Sequence, residues 1–406
     1  MPQKTDTART VNERLTFARA AQKPARVARA KASQPQDTAS ELHLTWAART
    51  TRAPTRPEFD MRRALLLTAL GVGGYLAYRA LKPRYDFRNK HVLITGGSRG
   101  LGLVLARQLA RAGARLSICS RDAAELSRAV DDLRGHGANA VAVECDVTDR
   151  ARLREFVAVA RQQNGPVDVL VNNAGVIRVA PADEMREAEY QQSLDTHFWA
   201  PLHAILEVAP EMKARGEGRI VNVSSFGGKV AVPHLLPYTA GKFALTGLSN
   251  GLRTELARYG ITVTTVCPGL MRTGSHLNAE FKGRNDEEYA WFALGNATPG
   301  LSMSAERAAA KIIDACAIGD SEVVLGLPAK LAVVAQAVCP NLMAEVLALV
   351  NRHVLPTPGG GTEVFKGRDS RGLVPDALTA HTDRAAARNN ELHATEIPPP
   401  LPVART

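Results

Sequence analysis

Short apolar runs alternate with longer amphipathic stretches from His91 to about Leu325. The runs HVLIT, RLSICS, AVAVECDV, VDVLVNNAG, GRIVNVSS, ITVTTVCPG and SEVVLG are rich in Val, Ile and Leu and almost unbroken, as strands buried on both faces are. Between them Gly102–Ala112, Ala123–Gly135 and Ala151–Asn164 carry a helical period. Strand–helix alternation of this kind predicts an α/β fold: a doubly wound, seven-stranded parallel sheet with helices on both faces. One such domain is expected over 87–330.

The flanks read differently. Ala64–Tyr78 is 15 residues without a charge, bracketed by Arg62 and Arg63 on one side and Arg79, Lys82 and Arg84 on the other. A bilayer span needs roughly 20 residues, but basic side chains snorkel and Leu81 lengthens the run. The pattern predicts a membrane anchor helix with basic flanks over 61–86; a helix packed on the body or on a partner subunit is the alternative. More basic residues follow the run than precede it, which places the body on the cytoplasmic side. Residues 1–60 have few large apolar side chains and no sustained period. They read as a disordered extension, or as sequence upstream of a start at Met61, since Met61-Arg62-Arg63 before an apolar run is how a membrane signal begins. Ala329–Leu349 is apolar with a break at Pro340, predicting two short helices within 331–355. Residues 356–406, ending in a PPPLP-containing stretch, read as a mostly disordered tail.

Composition narrows the function. The chain has 45% hydrophobic and 22% charged residues, values of a globular protein. Its net +11 is unevenly placed: residues 1–60 hold 11 basic against 6 acidic groups, residues 61–90 hold 7 against 1, and the rest is balanced at 33 each. A neutral body argues against nucleic acid, and a basic appendage fits a lipid bilayer. Five cysteines, never two or three apart, form neither a disulfide framework nor a zinc pattern, and no metal site is expected.

Candidate chemistry begins after the first strand. Thr95-Gly96-Gly97-Ser98-Arg99-Gly100-Leu101-Gly102 leads into a helix, where glycines keep a turn tight and bring backbone N–H groups to a pyrophosphate. A carboxylate ending the second strand would select NAD(H) by holding the ribose hydroxyls. Ser120 and Arg121 stand there instead; with Arg99 as a second cation they favour NADP(H) over NAD(H). Further on, Tyr238 and Lys242 are four apart, one turn on a helix face. A free phenol titrates near 10, and a neighbouring cation favours its phenolate, making it a usable acid and base.

The T-G-x-x-x-G-x-G spacing, the Y-x-x-x-K pair and Ser225 thirteen residues upstream resemble the short-chain dehydrogenase/reductase family, whose fold is Rossmann-like. That resemblance implies an oxidoreductase exchanging hydride between NADP(H) and a carbonyl or alcohol. Tyr238 would be the acid/base, Lys242 would lower its pKa and bind the nicotinamide ribose, and Ser225, preferred over Ser224, would bond the carbonyl oxygen. It also implies adenine contacts from Asp146 and Val147 and a turn at Asn173, Ala174 and Gly175. Pro268, Gly269 and Thr273 would hold the carboxamide, and a homo-oligomer is common among relatives. His197 departs from the family's Asn; it is a candidate proton-relay member. Trp291, Phe292, Tyr289, Phe281 and Leu235 predict an apolar substrate pocket for a lipophilic small molecule. The competing reading is a catalytically weak, NADP-binding scaffold or redox sensor on the same fold.

Overall fold

The computed structural model describes residues 61–392, so the readings of 1–60 and of the last fourteen residues fall outside the described residues. Seven strands make the main sheet: β1 His91–Thr95, β2 Arg115–Ser120, β3 Ala140–Glu144, β4 Val169–Asn172, β5 Gly218–Val223, β6 Ile261–Pro268 and β7 Glu322–Leu325. All pair in parallel, in the order 7-6-5-4-1-2-3. The predicted Rossmann-like doubly wound sheet is what forms. Every residue of β1 and β4 is buried, whereas β3 and β7 at the edges are partly open. That gradient is why central strands read as continuous apolar runs.

The helices are α1 Met61–Leu81, α2 Gly100–Arg111, α3 Ala123–Gly135, α4 Arg150–Asn164, α5 Glu187–Leu194 and α6 Ala200–Arg215. They continue as α7 Leu236–Ala257, α8 Asn285–Ala297, α9 Ala305–Ile318, α10 Leu327–Val338, α11 Pro340–His353 and α12 Asp376–Arg388. Leu103 and Leu105 of α2, Leu133 of α3 and Ile312 of α9 pack in one layer. Phe156 and Val157 of α4, Val208 and Met212 of α6 and Leu256 of α7 pack in the other. Each such fully buried side chain is worth about 2 kcal/mol in removed apolar surface. Asp122 and Asp149 start α3 and α4 by accepting backbone N–H groups at the N-terminus. The strand order reverses between β1 and β4, so a crevice opens at their carboxyl ends.

Outside the sheet, sequence and structure differ twice. The expected anchor is helical, but no helix among the described residues is long and apolar enough to cross a membrane, so the transmembrane reading does not stand. Three arginines and three glycines within α1 dilute its apolar length. Arg79 near its end pairs with Asp320 at 2.6 Å. The expected disordered tail is also folded in large part. Phe365–Lys366 pairs antiparallel with Glu280–Phe281, and Thr379, Thr382, Asp383, Ala385 and Ala386 of α12 are buried. Polar pairing holds α12: Asp383 accepts from Arg371 at 2.7 Å and meets His276 at 3.0 Å, both carboxylate and imidazole buried. Hydrophobic periodicity gives no sign of such contacts. The α10–α11 pair, broken at Pro340 as expected, exposes Leu331, Val334, Val338, Leu342 and Leu349.

Candidate active site

The crevice above β1 and β4 is a cleft of about 640 Å³. Gly96, Ser98, Arg99, Gly100 and Leu101 line it, with Ser120, Arg121, Asp146, Val147, Asn173, Ala174 and Gly175. So do His197, Ser225, Tyr238, Lys242, Pro268, Gly269 and Thr273, so residues spread over almost 180 positions of sequence meet in one place. Gly102 is the exception. It lies beneath the loop, where an added Cβ would fall 2.0 Å from the Gly96 carbonyl oxygen.

The glycines at 96, 97 and 102 leave no room for a side chain. Gly96 has φ +66°, and a Cβ there would sit 2.9 Å from Ala174 Cα. The loop is tied to the turn after β4: Asn173 Nδ2 donates to the carbonyls of Gly96 (2.9 Å) and Thr95 (3.2 Å), and Thr95 Oγ1 accepts from the Asn173 amide (3.0 Å). This cradle at the start of α2 fits the diphosphate of a dinucleotide.

At the adenosine end, Arg121 is exposed at the close of β2 and Ser120 Oγ accepts from the Asp122 amide. Asp122 caps α3 by accepting from the Glu125 amide at 2.8 Å. Arg99 is not a free cation: it donates to Glu125 Oε1 at 2.8 Å and to Asn278 Oδ1 at 3.1 Å. Ser98 Oγ donates to the other oxygen of Glu125 at 3.0 Å. Sequence reasoning missed Glu125, because three positions after Asp122 it reads as an ordinary first-turn acid. Asp146 Oδ1 accepts from the Thr148 amide and hydroxyl, fixing the bend that sets the buried Val147 in the cleft wall.

The reacting groups sit at the other end. Ser224 and Ser225 both line the cleft, but the Ser224 hydroxyl is spent, donating to the Lys242 carbonyl (3.0 Å) and meeting Thr246 (2.8 Å), which leaves the Ser225 hydroxyl for the reacting centre. Ser225 Oγ accepts from the Gly227 amide at 2.9 Å and lies near enough to the Tyr238 hydroxyl to pull its pKa down. Lys242 Nζ donates to the Val223 carbonyl at 2.9 Å and lies 5.7 Å from the centre of the Tyr238 ring. Burial pushes the Tyr238 phenol up to about 12 despite Ser225, and brings the Lys242 ammonium down to about 7. The phenol is thus raised rather than lowered here: loss of solvent dominates, and the only lowering influence on it is Ser225.

His197 lies in a π-turn, Asp195–Trp199, fully buried. Its Nε2 accepts from the Val176 amide at 3.3 Å, so Nδ1 carries the proton, meeting Ser193 Oγ at 3.1 Å. Ser193 can accept it because its own hydroxyl donates to the Pro237 carbonyl at 2.6 Å. Burial, then the Lys242 charge, holds the imidazole well below its usual pKa, so it is neutral. Its ring meets that of Tyr238 edge-on at 5.3 Å. Among the expected pocket residues, Trp291, Phe292 and Leu235 line the cleft, with Ile177 and Val232. Tyr289 and Phe281 are instead fully buried in the packing behind it. No group of three or more metal-ligating side chains occurs among the described residues.

Residues 90–282 match the short chain dehydrogenase family. A Streptomyces violaceoruber protein described as a granaticin polyketide synthase ketoacyl reductase is 43% identical over 183 residues, 45% of this chain and 67% of that protein. The chain belongs to the short-chain dehydrogenase family. Gluconate 5-dehydrogenase of Gluconobacter oxydans is 35% identical to this short-chain dehydrogenase over 47% of the chain and 74% of the relative. A gluconate 5-dehydrogenase from Burkholderia cenocepacia, solved with NADP and tartrate, superposes with TM-score 0.53 at 28% identity, covering 61% of this chain and 98% of that one. Short-chain dehydrogenases bind a nicotinamide dinucleotide, which the loop and the β4 turn fit.

Proposed function

We propose that this short-chain oxidoreductase is an NADP(H)-dependent ketoreductase acting on a lipophilic carbonyl or alcohol substrate at a membrane surface. The observation that carries the reading is convergence: Ser225, Tyr238 and Lys242 open into the same cleft as the glycine loop. The cofactor supplies hydride when bound. Ser225 positions a carbonyl oxygen beside the phenol. A Tyr238 hydroxyl held near 12 is protonated at neutral pH, the state that gives a proton to a developing alkoxide when a carbonyl is reduced. Lys242 keeps its place through Val223 and offers its remaining protons to the cleft. His197, with both ring nitrogens engaged, acts by holding the wall against Tyr238 and not by passing protons itself.

NADP(H) is favoured because β2 ends at Ser120, with no carboxylate at that ribose position and Arg121 directly after it, and a structural relative was solved with NADP. Trp291, Phe292, Val232 and Leu235 support an apolar substrate. Exposed Leu66, Leu70, Leu76 and Leu81 with basic neighbours support association with an anionic bilayer, the body on the cytoplasmic side, and the exposed α10–α11 face offers area for a homo-oligomer. The test follows NADPH oxidation with a panel of apolar ketones. Tyr238→Phe should lower kcat about a hundredfold to ten-thousandfold with NADPH affinity nearly unchanged. Equal rates in parent and variant would remove Tyr238 from the chemistry.

A further inference from the structure

The chain brings its own anion to the glycine loop. Beyond α12 the backbone carbonyl of Asn389 accepts from the Gly100 amide at 2.9 Å, the first N–H of α2. Asn390, at φ +59°, donates from Nδ2 to the carbonyls of Ser98 and Glu125, each at 2.9 Å. Glu391 then turns into the cleft. Its Oε2 accepts from the Gly274 amide at 2.6 Å, and Oε1 stands 3.0 Å from where a Cβ on Gly100 would be. The side chain is buried, and its nearest guanidinium, Arg99, is committed to Glu125.

A glycine loop at a helix N-terminus, with backbone N–H groups facing a small concavity, is built to receive phosphate oxygens. Here one of those amides is taken by Asn389, and a carboxylate stands against the loop itself. We propose that the Asn389–Glu391 arm is a built-in competitor of the cofactor's diphosphate, so that arm and dinucleotide exclude one another and the arm swings out when cofactor enters. This rests on the reading of the loop as a dinucleotide seat. The arm fits the seat imperfectly. Burial holds the Glu391 carboxyl up at about 7, against the pull of Gly274 and Arg99, so a charged Glu391 is held there at a cost and is easily exchanged for a ligand with more donors to satisfy. Behind it, α12 stays anchored by Asp383 on His276 and Arg371, which leaves the residues after Arg388 as the part that moves.

The experiment titrates the full-length protein with NADPH and with NADH by calorimetry, comparing the parent with Glu391→Ala and Glu391→Gln. It also measures amide hydrogen exchange at 389–391, where the Asn389 and Glu391 amides donate to Ala385 and Ala386 in the docked arm. Competition predicts that Glu391→Ala tightens NADPH binding roughly tenfold, Glu391→Gln by less, and that saturating NADPH removes protection at 389–391 in the parent. Unchanged or weaker binding in Glu391→Ala, or protection that rises on saturation, would overturn the proposal and make the arm part of the cofactor cage. Loss of all dinucleotide binding in parent and variants alike would overturn the cofactor reading and the arm's role with it. Binding without the predicted shift overturns the arm's role alone.

Discussion

Lys242 is held with Nζ on the Val223 carbonyl, deep enough that burial brings its pKa down to about 7 from an ordinary 10.5. The unfolded chain then binds more protons than the folded one between these values, so stability rises with pH across that window. The penalty of the buried ammonium is fully present below pH 7 and fades toward 10.5. Lys242→Met removes the titration. Its stability relative to the parent should therefore be more favourable at pH 6 than at pH 10 by about 4 kcal/mol, read from denaturant melts at both pH values. A difference independent of pH would show that the amine is solvated. At this scale the sequence was a good guide to which residues meet and a poor guide to their electrostatics. The Y-x-x-x-K spacing placed Tyr238 and Lys242 together, but burial, which sets both pKa values, is a property of Val223, Gly227 and the cleft walls. Glu125 and Glu391 were illegible for the same reason: their roles come from partners that no local pattern connects to them.

Among the elements, the turn that closes β2 carries the cofactor preference. Arg121 is exposed beside Ser120, while Asp122 is spent on the α3 N-terminus. Arg121→Asp replaces a phosphate-pairing guanidinium with a like charge. It should weaken NADPH roughly a hundredfold and NADH by no more than a few fold, measured as Kd by fluorescence titration. Equal weakening of both would assign Arg121 to folding of the turn, and Arg99 with Ser98 would then be the residues to test. The sheet was legible strand by strand, since strands buried on both faces announce themselves as unbroken Val, Ile and Leu. The π-turn at Asp195–Trp199 was not, because nothing in DTHFW distinguishes an extra residue in a helix from an ordinary turn. Nor was α12, whose buried face is threonine, aspartate and alanine.

For the whole molecule, charge and apolar surface are segregated. The body is neutral, and the excess of basic groups precedes it. If membrane association runs through α1, replacing its exposed Leu66, Leu70 and Leu76 by Ser in the full chain should cut co-sedimentation with anionic vesicles by about tenfold or more. Undiminished binding would move the contact to Leu331, Val334 and Val338 of α10, where the same substitutions then become the decisive ones. Vesicles of neutral lipid separate the two contributions, since only the basic flanks respond to surface charge.

The hydrogen bond from Asn390 to Ser98 joins positions 292 residues apart. A ribosome releases Ser98 and every strand of the sheet before it adds Asn390, so during synthesis the glycine loop exists for a time with nothing of its own polypeptide upon it. Nucleotide present in the surrounding solution meets a vacant nest first. Because the arm exchanges with ligand, that head start does not last: the share of finished chains carrying the arm in the nest follows the dinucleotide concentration around them and not the conditions of their synthesis.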